Sequence, residues 1–416
     1  MRITICGATL QAVTMVAVFA RYGHKIIWHH DSKAANPLLE ITDPTLQAHL
    51  SHLHDKDAIQ LSSSGQNLSE SAECYLFCYG PMEIEQSVIC AEQIAKISSE
   101  DRLMINGSTF GLHGTEKLQV ILPHDHWAYL PDTIQEGNAI GSFVNAKQAI
   151  VGCESEQAKR LMKELLRPMF PLDHQMVFMP ISDAAFAKLS ISGMLATRIS
   201  YTNDLANVAE KLGVDILNVK QGMAADSRIG STYLSPGVGF GGENFSQDIL
   251  MLSNEVSKVG GKSRLLEQVW EINDDQKEVL FRKLWDYYQS NLRGKIVAIW
   301  GAAFKENTAS IHNAPIHKMI EALLAQNVHI QLYDPQANDE IAEIYSDRVE
   351  ICQDEYQALK DANALCVLTA WQQFYNPDYA LMLSLMNHPL ILDGRNIYDP
   401  SFMRLQGFIY EGIGRI

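Results

Sequence analysis

The sequence has too few basic residues for a typical nucleic-acid-binding protein, and its apolar runs are too short for a membrane-spanning protein. It has 33 Lys and Arg residues against 49 Asp and Glu residues, and its formal net charge is -16. Nucleic-acid binding draws on clustered Lys and Arg, so we expect no nucleic-acid partner. No run reaches the roughly 18 apolar residues of a membrane span, and Gly7, Thr9 and Gln11 interrupt the apolar start. We therefore expect a cytoplasmic protein that does not associate with membranes.

Cysteine pairs with a recognisable spacing are also missing. The seven cysteines are scattered singly, mostly inside apolar, strand-like runs. An odd, dispersed set is typical of reduced thiols in the cytosol and does not predict a disulfide framework. Cys74 and Cys78 flank an apolar tripeptide, and we interpret them as buried strand residues, not as a redox pair.

No motif for metal binding stands out. His49, His52 and His54 would not share one helix face well, and His124 and His126 fall in a loop-like segment. We interpret both groups as surface histidines and expect no metal site.

The sequence does contain an alternation of short apolar strands and helices. At 416 residues the chain is long enough for two or three domains. Residues 2–7, 10–22 and 25–29 have the pattern of a strand, a helix and a strand, which is a βαβ opening. Further strands are expected at residues 75–79, 103–106 and 128–130.

A second βαβ unit follows a long helical region. Residues 182–288 have helical composition, and residues 295–301, 316–326 and 329–333 repeat the strand–helix–strand pattern. More strands are expected at 364–368 and 390–392. This order predicts an α/β protein with two Rossmann-like, doubly wound parallel sheets joined by a central helical domain. We place the three domains at residues 1–175, 176–290 and 291–416.

Five short motifs occur in a characteristic order. Ala187-Lys188-Leu189 and Asp226-Ser227-Arg228-Ile229-Gly230 come first, followed by Gly239-Phe240-Gly241-Gly242 with Asp248 beyond it, Ala303-Phe304-Lys305-Glu306-Asn307-Thr308, and Asp393-Gly394-Arg395-Asn396-Ile397-Tyr398-Asp399-Pro400. In order and spacing, over essentially the whole chain, they resemble the UDP-glucose/GDP-mannose dehydrogenase family. Members of that family oxidise the C6 hydroxymethyl group of a nucleotide sugar to a carboxylate with NAD.

The resemblance implies a UDP-sugar or GDP-sugar as the ligand. Cationic side chains suit phosphate and sugar oxygens, and glycines let the backbone approach a ligand closely. Arg228 in the family reaches across a dimer interface, which implies a homodimer. The residues that match substrate-holding positions are Arg228, Phe240, Gly241, Lys305, Arg395 and Glu136.

The resemblance also assigns catalytic roles. Lys188 matches the lysine that stabilises developing oxyanion charge on the sugar. Asp248 matches the carboxylate that assists proton removal through water. Thr109 and Asp132 complete the expected catalytic set. A single lysine is usually a solvated surface charge, but its place inside a motif favours a role in the site.

The part of the pattern that binds the cofactor is degraded. The family has G-x-G-x-x-G after its first strand, whereas this chain has Gly7-Ala8-Thr9-Leu10-Gln11-Ala12. His30, with Asp31 one step later, replaces the acidic residue that grips the adenosine ribose. His312 stands where the family has an arginine. The positions that match cofactor contacts are Gly7, His30, Asp31, Gly80, Ser108, Thr109 and His312. NAD is the implied cofactor, and we expect its binding to be weakened, altered or lost.

The nucleophile is missing as well. The family reads G-G-S-C-F where this chain has Gly241-Gly242-Glu243-Asn244-Phe245. Asn244 is no nucleophile because its amide lone pair is delocalised, so the thioester route is closed. Ser192 replaces a family asparagine, and Asp132 replaces a glutamate whose carboxylate lies one methylene further out.

Three hypotheses remain open from the sequence. The first is an atypical NAD(P)-linked oxidoreductase of this family that acts on a nucleotide sugar without complete conversion to a uronic acid. The alternative is a catalytically inactive nucleotide-sugar-binding or regulatory paralogue. The third is a reaction with an internally cycling cofactor, such as an epimerisation.

Overall fold

A computed structural model describes residues 1–30, 44–63, 68, 72–97 and 101–415. The chain divides into two compact units. The N-terminal unit contains Met1–Ile191 and Leu250–Val259, and the C-terminal unit contains Ser192–Ile249 and the residues from Gly260 onward. The helices α7 (Ile181–Leu212) and α9 (Glu243–Lys258) each contribute residues to both units.

The N-terminal unit is built on an eight-stranded sheet. Its strands are β1 (Arg2–Cys6), β2 (Lys25–His30), β3 (Ile59–Ser63), β4 (Cys74–Phe77), β5 (Leu103–Asn106), β6 (His126–Tyr129), β7 (Ala149–Cys153) and β8 (Met176–Met179). The strand order is β3-β2-β1-β4-β5-β6-β7-β8, and every pair is parallel except β6 with β7. The order reverses between β1 and β4, which makes that gap the switch point of the sheet.

Helices cover both faces of this sheet. They are α1 (Leu10–Arg21), α2 (Pro44–Asp55), α3 (Ile84–Ala95), α4 (Gly114–Gln119), α5 (Ala139–Val144) and α6 (Glu156–Leu166). The strand β4 shows why two apolar layers form: Cys74 and Leu76 join one buried cluster, and Tyr75 and Phe77 join another. Successive side chains of a strand point to opposite faces, so a strand without polar residues requires cover on both.

The C-terminal unit has a second parallel sheet of six strands. These are β9 (Ile296–Trp300), β10 (His329–Tyr333), β11 (Glu350–Ile351), β12 (Ala364–Val367), β13 (Leu390–Asp393) and β14 (Ile409–Gly412), in the order β11-β10-β9-β12-β13-β14. Its switch point lies between β9 and β12. The remaining helices are α8 (Ile216–Ala225), α10 (Arg264–Gln276), α11 (Val279–Tyr287), α12 (Pro315–Ala325), α13 (Asn338–Tyr345), α14 (Tyr379–Leu385) and α15 (Pro400–Leu405).

The residues after β14 pack against the junction of α7 and α8. The backbone N–H of Ile216 donates to Gly414 O at 2.9 Å, and Arg415 Nε lies 3.2 Å from an Asp215 carboxylate oxygen. A Cβ added to Gly414 would lie 2.8 Å from the Ala206 Cβ. This close approach is open only to glycine, and it lies next to Asp215, whose side chain caps α8 by accepting from the Leu217 N–H.

The predicted fold class is confirmed. Two α/β sheets form, and helices fill the region between them in sequence. β3, β7, β8, β11 and β14 were not predicted. Among the described residues no cysteine forms a disulfide, and Cys74 and Cys78 are buried as expected. Within the same part of the chain, no helix has the length and apolar character of a membrane span.

Candidate functional site

The switch point of the N-terminal sheet is a narrow crevice. Gly7 follows β1 with φ +111°, and a Cβ added there would lie 2.1 Å from Cys78 O, which follows β4. Only glycine permits this approach. The Trp28 indole donates to Gly7 O at 2.8 Å and holds the turn from the side of β2. We call the space above the carboxyl ends of β1 and β4 the N-terminal crevice.

Thr9 and Gln11 occupy the side of this crevice formed by α1. Thr9 is the N-cap of α1: its hydroxyl accepts from the Ala12 N–H at 3.3 Å and donates to Cys78 O at 3.0 Å. Gln11 is only 3% exposed. Its amide packs directly on Gly107, where an added Cβ would lie 2.9 Å from Gln11 Nε2.

The predicted cofactor residue His30 ends β2 beside a second histidine, His29. His29 and His30 are both buried, and His29 Nδ1 lies 3.1 Å from Ser62 Oγ. The His30 ring lies 5.8 Å from that of Trp28. Asp31, the other residue predicted to contact the cofactor here, lies outside the described residues.

The next predicted cofactor residues lie at the ends of β4 and β5. Ser108 is buried, and its hydroxyl accepts from the Tyr79 N–H at 2.7 Å and donates to Phe77 O at 3.2 Å. It therefore ties the two strand ends together. Gly80 donates its N–H to a Glu83 carboxylate oxygen at 2.6 Å. Thr109 is half-buried beside them in sequence.

A carboxylate lies close to Cys78 in the same unit. Burial raises the pKa of the Cys78 thiol well above its usual value, and the nearby charge of Asp132 raises it further. Asp132 accepts from the Ile134 N–H at 3.0 Å. Glu136 and Lys188 are both half-buried, Lys188 on α7.

In the C-terminal unit the structure brings together two predicted residues, Ser192 and Asp248. The Ser192 hydroxyl donates to an Asp248 carboxylate oxygen at 2.6 Å, and both side chains are buried. A charge-assisted bond of this length is strong and satisfies one oxygen of the carboxylate. Asn244 lies one turn earlier on α9 and is exposed.

The glycine-rich loop before α9 is held by side chains of α10. Asn273 accepts from the Phe240 N–H at 2.7 Å and donates to Phe240 O at 3.2 Å. Gln276 Nε2 donates to Gly237 O at 2.7 Å. Gly241 must be glycine, because an added Cβ would lie 2.8 Å from Asn313 O. Phe240 is therefore fixed in the backbone conformation that the loop requires.

Lys277 is a buried part of this assembly that the sequence did not reveal. It is 4% exposed, and its Nζ donates to Asn313 Oδ1 at 2.7 Å. Asn313 in turn donates to Ser246 Oγ on α9 at 2.8 Å. Burial lowers the pKa of Lys277 to about 8. The signal was the spacing of Asn273, Gln276 and Lys277, which share one helix face.

Arg395 braces the carboxyl ends of the second sheet. Its Nε donates to Leu368 O at 2.6 Å and its Nη2 to Phe304 O at 3.1 Å. Lys305 is half-buried, and its ammonium lies 5.5 Å from the centre of the Phe304 ring. Two predicted cations thus lie on neighbouring loops of one sheet edge.

The other predicted residues of this unit lie on its surface. Arg228 is paired with Asp226, with Nη2–Oδ2 at 2.6 Å, and its side chain is 87% exposed. The guanidinium lowers the pKa of Asp226. His312 is exposed, and its carbonyl accepts from the Gly242 N–H at 2.8 Å. In the described part of the chain, no three His, Cys, Asp or Glu side chains form a metal-binding group.

Comparison with known proteins agrees with this arrangement. Residues 298–400 match the model of the UDP-glucose/GDP-mannose dehydrogenase family, UDP binding domain, and residues 182–275 match the model of that family's central domain. A UDP-glucose 6-dehydrogenase of Pseudomonas aeruginosa is 30% identical over 442 residues, which cover 100% of this chain and 98% of that protein. One from Rhizobium meliloti is 26% identical over 100% of both.

Solved structures share the fold. A UDP-glucose dehydrogenase of Pyrobaculum islandicum superposes with a TM-score of 0.88 at 21% identity, covering 100% of this chain and 98% of that one. A UDP-D-ManNAc dehydrogenase of Pyrococcus horikoshii gives a TM-score of 0.84 at 20% identity, covering 100% and 99%.

Proposed function

Since this chain belongs to the UDP-glucose/GDP-mannose dehydrogenase family, we propose that its C-terminal unit binds a nucleotide sugar and that the chain does not convert this ligand to a uronic acid. Asn244 carries the proposal. It lies exposed on the first turn of α9, at the position that the family's nucleophilic cysteine takes in the motif.

The amide of Asn244 cannot replace a thiolate. Its nitrogen lone pair is delocalised into the carbonyl, so no covalent intermediate forms at this side chain. The cysteines of the C-terminal unit offer no substitute. Cys352 and Cys366 are buried, and burial raises the pKa of Cys352 to about 12. A buried thiol with a raised pKa stays protonated at neutral pH and is a poor nucleophile.

The retained cations support nucleotide-sugar binding. Arg395 and Lys305 lie on loops at the carboxyl edge of the second sheet, where ligands of open α/β sheets bind. A guanidinium and an ammonium are suitable donors for a pyrophosphate. The glycine-rich loop at Phe240 supplies backbone that a ligand can approach closely. UDP-sugars are the first ligands to test, because the matched domain of the family is a UDP binding domain.

A second candidate function is a dehydrogenase of altered chemistry that stops before the carboxylate. The buried Ser192–Asp248 pair favours it, because a carboxylate held at 2.6 Å by a hydroxyl is fixed in position and can assist proton removal. Lys188 matches the family position of the lysine that stabilises oxyanion charge.

Calorimetric titration with UDP-glucose and GDP-mannose, followed by product analysis after incubation with NAD and NADP, separates these functions. We expect a nucleotide sugar to bind and no uronic acid to form. Formation of a uronic acid would refute the second half of the proposal. If neither nucleotide sugar binds, the first half is wrong. Reduction of the cofactor with an aldehyde as the product would establish the second candidate.

We further propose that the chain forms a homodimer through α7. Met194, Tyr201 and Val208 are 63%, 53% and 46% exposed and lie seven residues apart, on one helix face. An exposed apolar stripe of this kind marks an interface. Val208→Asp should shift sedimentation from a dimer to a monomer, because it places a charge in that stripe. Val120→Asp, the same substitution at an exposed residue that follows α4, is the matched control and should remain dimeric.

A further inference from the structure

We propose that the N-terminal crevice does not accept the pyrophosphate of a dinucleotide, because the Thr9 and Gln11 side chains fill the space that the pyrophosphate would need. In open α/β sheets a dinucleotide lies at the switch point, with its pyrophosphate on the N-terminus of the first helix. Here that place is the gap between β1 and β4, at the start of α1. In the N-terminal unit, this is the place where NAD would use the geometry of the fold.

Thr9 closes the crevice from side to side. Its hydroxyl accepts from the Ala12 N–H on α1 and donates to Cys78 O beyond β4, at 3.3 and 3.0 Å. The first N–H groups of a helix have no partner within the helix, and in a dinucleotide-binding sheet the bound pyrophosphate satisfies them. Thr9 gives one of them a partner from within the chain. A glycine at this position would leave both the N–H group and the space to a ligand.

Gln11 closes the neighbouring part of the crevice, toward β5. Its side chain is 97% buried, since 3% is exposed, and its amide touches Gly107 at the end of β5. Among the described residues, Gln11 Nε2 finds no hydrogen-bond partner. The atom is shielded from solvent. It therefore lies inside the fold and is not an exposed donor that a ligand could reach. The Gln11 amide thus occupies the space directly next to Gly107.

The charges around the crevice also oppose an anion. A Glu83 carboxylate oxygen lies 2.6 Å from the Gly80 nitrogen at the end of β4. Asp132 is close enough to Cys78 to raise the pKa of its thiol. At the end of β2 the buried side chain is His30, which offers no carboxylate to a ribose. A pyrophosphate bound here would have two carboxylates nearby in the chain's own unit, and one of its usual donors, the Ala12 N–H, is already bonded to Thr9.

The consequence deepens the proposed function, on which it rests: the chain is a nucleotide-sugar-binding protein without a bound hydride acceptor. Loss of the cofactor and loss of the nucleophile are then two independent blocks. The first is a matter of packing in the N-terminal unit, and the second is a matter of one side chain on α9.

Titration with NAD tests the closed crevice directly. We expect the wild-type chain to bind NAD and NADP more weakly than about 1 mM. Thr9→Gly combined with Gln11→Val should tighten NAD binding by about tenfold or more, because the variant restores space and a helix N–H group. Thr9→Ser with Gln11 unchanged is the matched control. It keeps the hydroxyl bridge and the Gln11 side chain, so it should not gain NAD binding.

Wild-type binding of NAD in the micromolar range would overturn the inference, even if both variants failed to fold. Equal gains in the glycine and serine variants would also overturn it. Circular dichroism melting of each variant shows whether it folds. Titration of the same samples with UDP-glucose tests the proposed function separately from the closed crevice. If UDP-glucose does not bind the wild type, the proposed function fails while the NAD data still decide the crevice.

Discussion

The two sheets of this molecule have the same construction at their switch points. In the N-terminal sheet Gly7 has φ +111°, and a Cβ added there would lie 2.1 Å from Cys78 O. In the C-terminal sheet Gly301 has φ +92°, and an added Cβ would lie 2.5 Å from the Thr369 Cβ. In each sheet a threonine hydroxyl donates across the gap, from Thr9 in one and from Thr369 to Ala303 O in the other.

The sheets differ in what could hold an anion there. In the N-terminal unit α1 begins three residues after Gly7, so the helix N-terminus would be the anchor, and Thr9 caps it. In the C-terminal unit α12 begins only at Pro315, and the cations Lys305 and Arg395 lie on loops of the edge. In the N-terminal unit the anion site would consist of backbone N–H groups, and a single capping side chain can block it. In the C-terminal unit the site would consist of cationic side chains, so it does not depend on the start of a helix.

Among the variants that test this difference between the two units, Arg395→Met is expected to have the largest effect on ligand binding. It removes a cation and the two hydrogen bonds that tie Phe304 O and Leu368 O together. We expect UDP-glucose affinity to fall by about 100-fold or more, because a charge-assisted contact and the shape of the loop are lost together. Calorimetric titration measures the change.

Arg102→Met is its counterpart in the N-terminal unit. Arg102 is buried, and its two bonds to Asp125 are 2.8 Å each. The variant should lower the free energy of unfolding by about 3 kcal/mol, because a buried carboxylate loses its partner. UDP-glucose affinity should stay unchanged. If Arg395→Met binds UDP-glucose like the wild type, the C-terminal edge is not the nucleotide-sugar site.

A pH effect of intermediate size is expected from Lys277, which supports the C-terminal loop with a buried charge. Burial lowers the pKa of Lys277 from 10.5 to about 8. Between these values the folded chain holds the neutral amine while the unfolded chain holds the ammonium, so the unfolded state binds more protons and stability rises with pH. The wild type should therefore gain about 2 kcal/mol relative to Lys277→Met between about pH 7 and pH 10.

Urea unfolding at several pH values measures this difference. Lys220→Met is the control, because Lys220 is hydrogen-bonded to Ser235 at a surface position. The difference between wild type and Lys220→Met should not vary with pH. A flat curve for Lys277→Met would mean that the buried lysine keeps its ordinary pKa and does not tune the loop.

The smallest effect is expected from Asn244→Cys. The variant restores a thiol at the start of α9, but the N-terminal crevice still lacks room for a pyrophosphate. We expect no uronic acid and no reduction of NAD, as in the wild type and in the control Asn244→Ser. Any uronic acid formed by Asn244→Cys would break the comparison, because it would show that the N-terminal unit holds the cofactor after all.

Most of the strands and helices could be predicted from the sequence, because the spacing of apolar residues differs between strands and helices. The strands and helices around β1, α1 and β2 were predicted to within a residue or two. The strand β3 was missed because its last three residues are Leu61, Ser62 and Ser63, which do not read as an apolar run. The strand β7 was missed although Ala149–Cys153 is an apolar run, and its antiparallel pairing with β6 depends on where the chain returns after α5, which no local pattern records.

The sequence predicted which residues belong to the candidate site, but it did not predict which of them contact one another. The motifs named Thr9 as a departure, but not its bond to Cys78 O, since that partner is 69 residues away. The sequence likewise gave no reason to expect that Ser192 would donate to Asp248, which lies 56 residues on. Lys277 was overlooked because lysine is rarely buried, and only the surrounding helices and loops enclose it. Long-range contacts of this kind are set by tertiary packing.

The attachment of Gly414 at the start of α8 has a consequence for how the chain is synthesised. Gly414 N lies 3.4 Å from Glu210 Oε2 across 204 residues of sequence, whereas every strand of the N-terminal sheet is complete by Met179. At about 5–20 residues per second, the ribosome adds the intervening stretch in about 10–50 s. For that time we expect Ala206 and Ile216, which Gly414 covers, to remain open on the nascent chain. The junction of α7 and α8 is thus among the last apolar surfaces of the described chain to be covered.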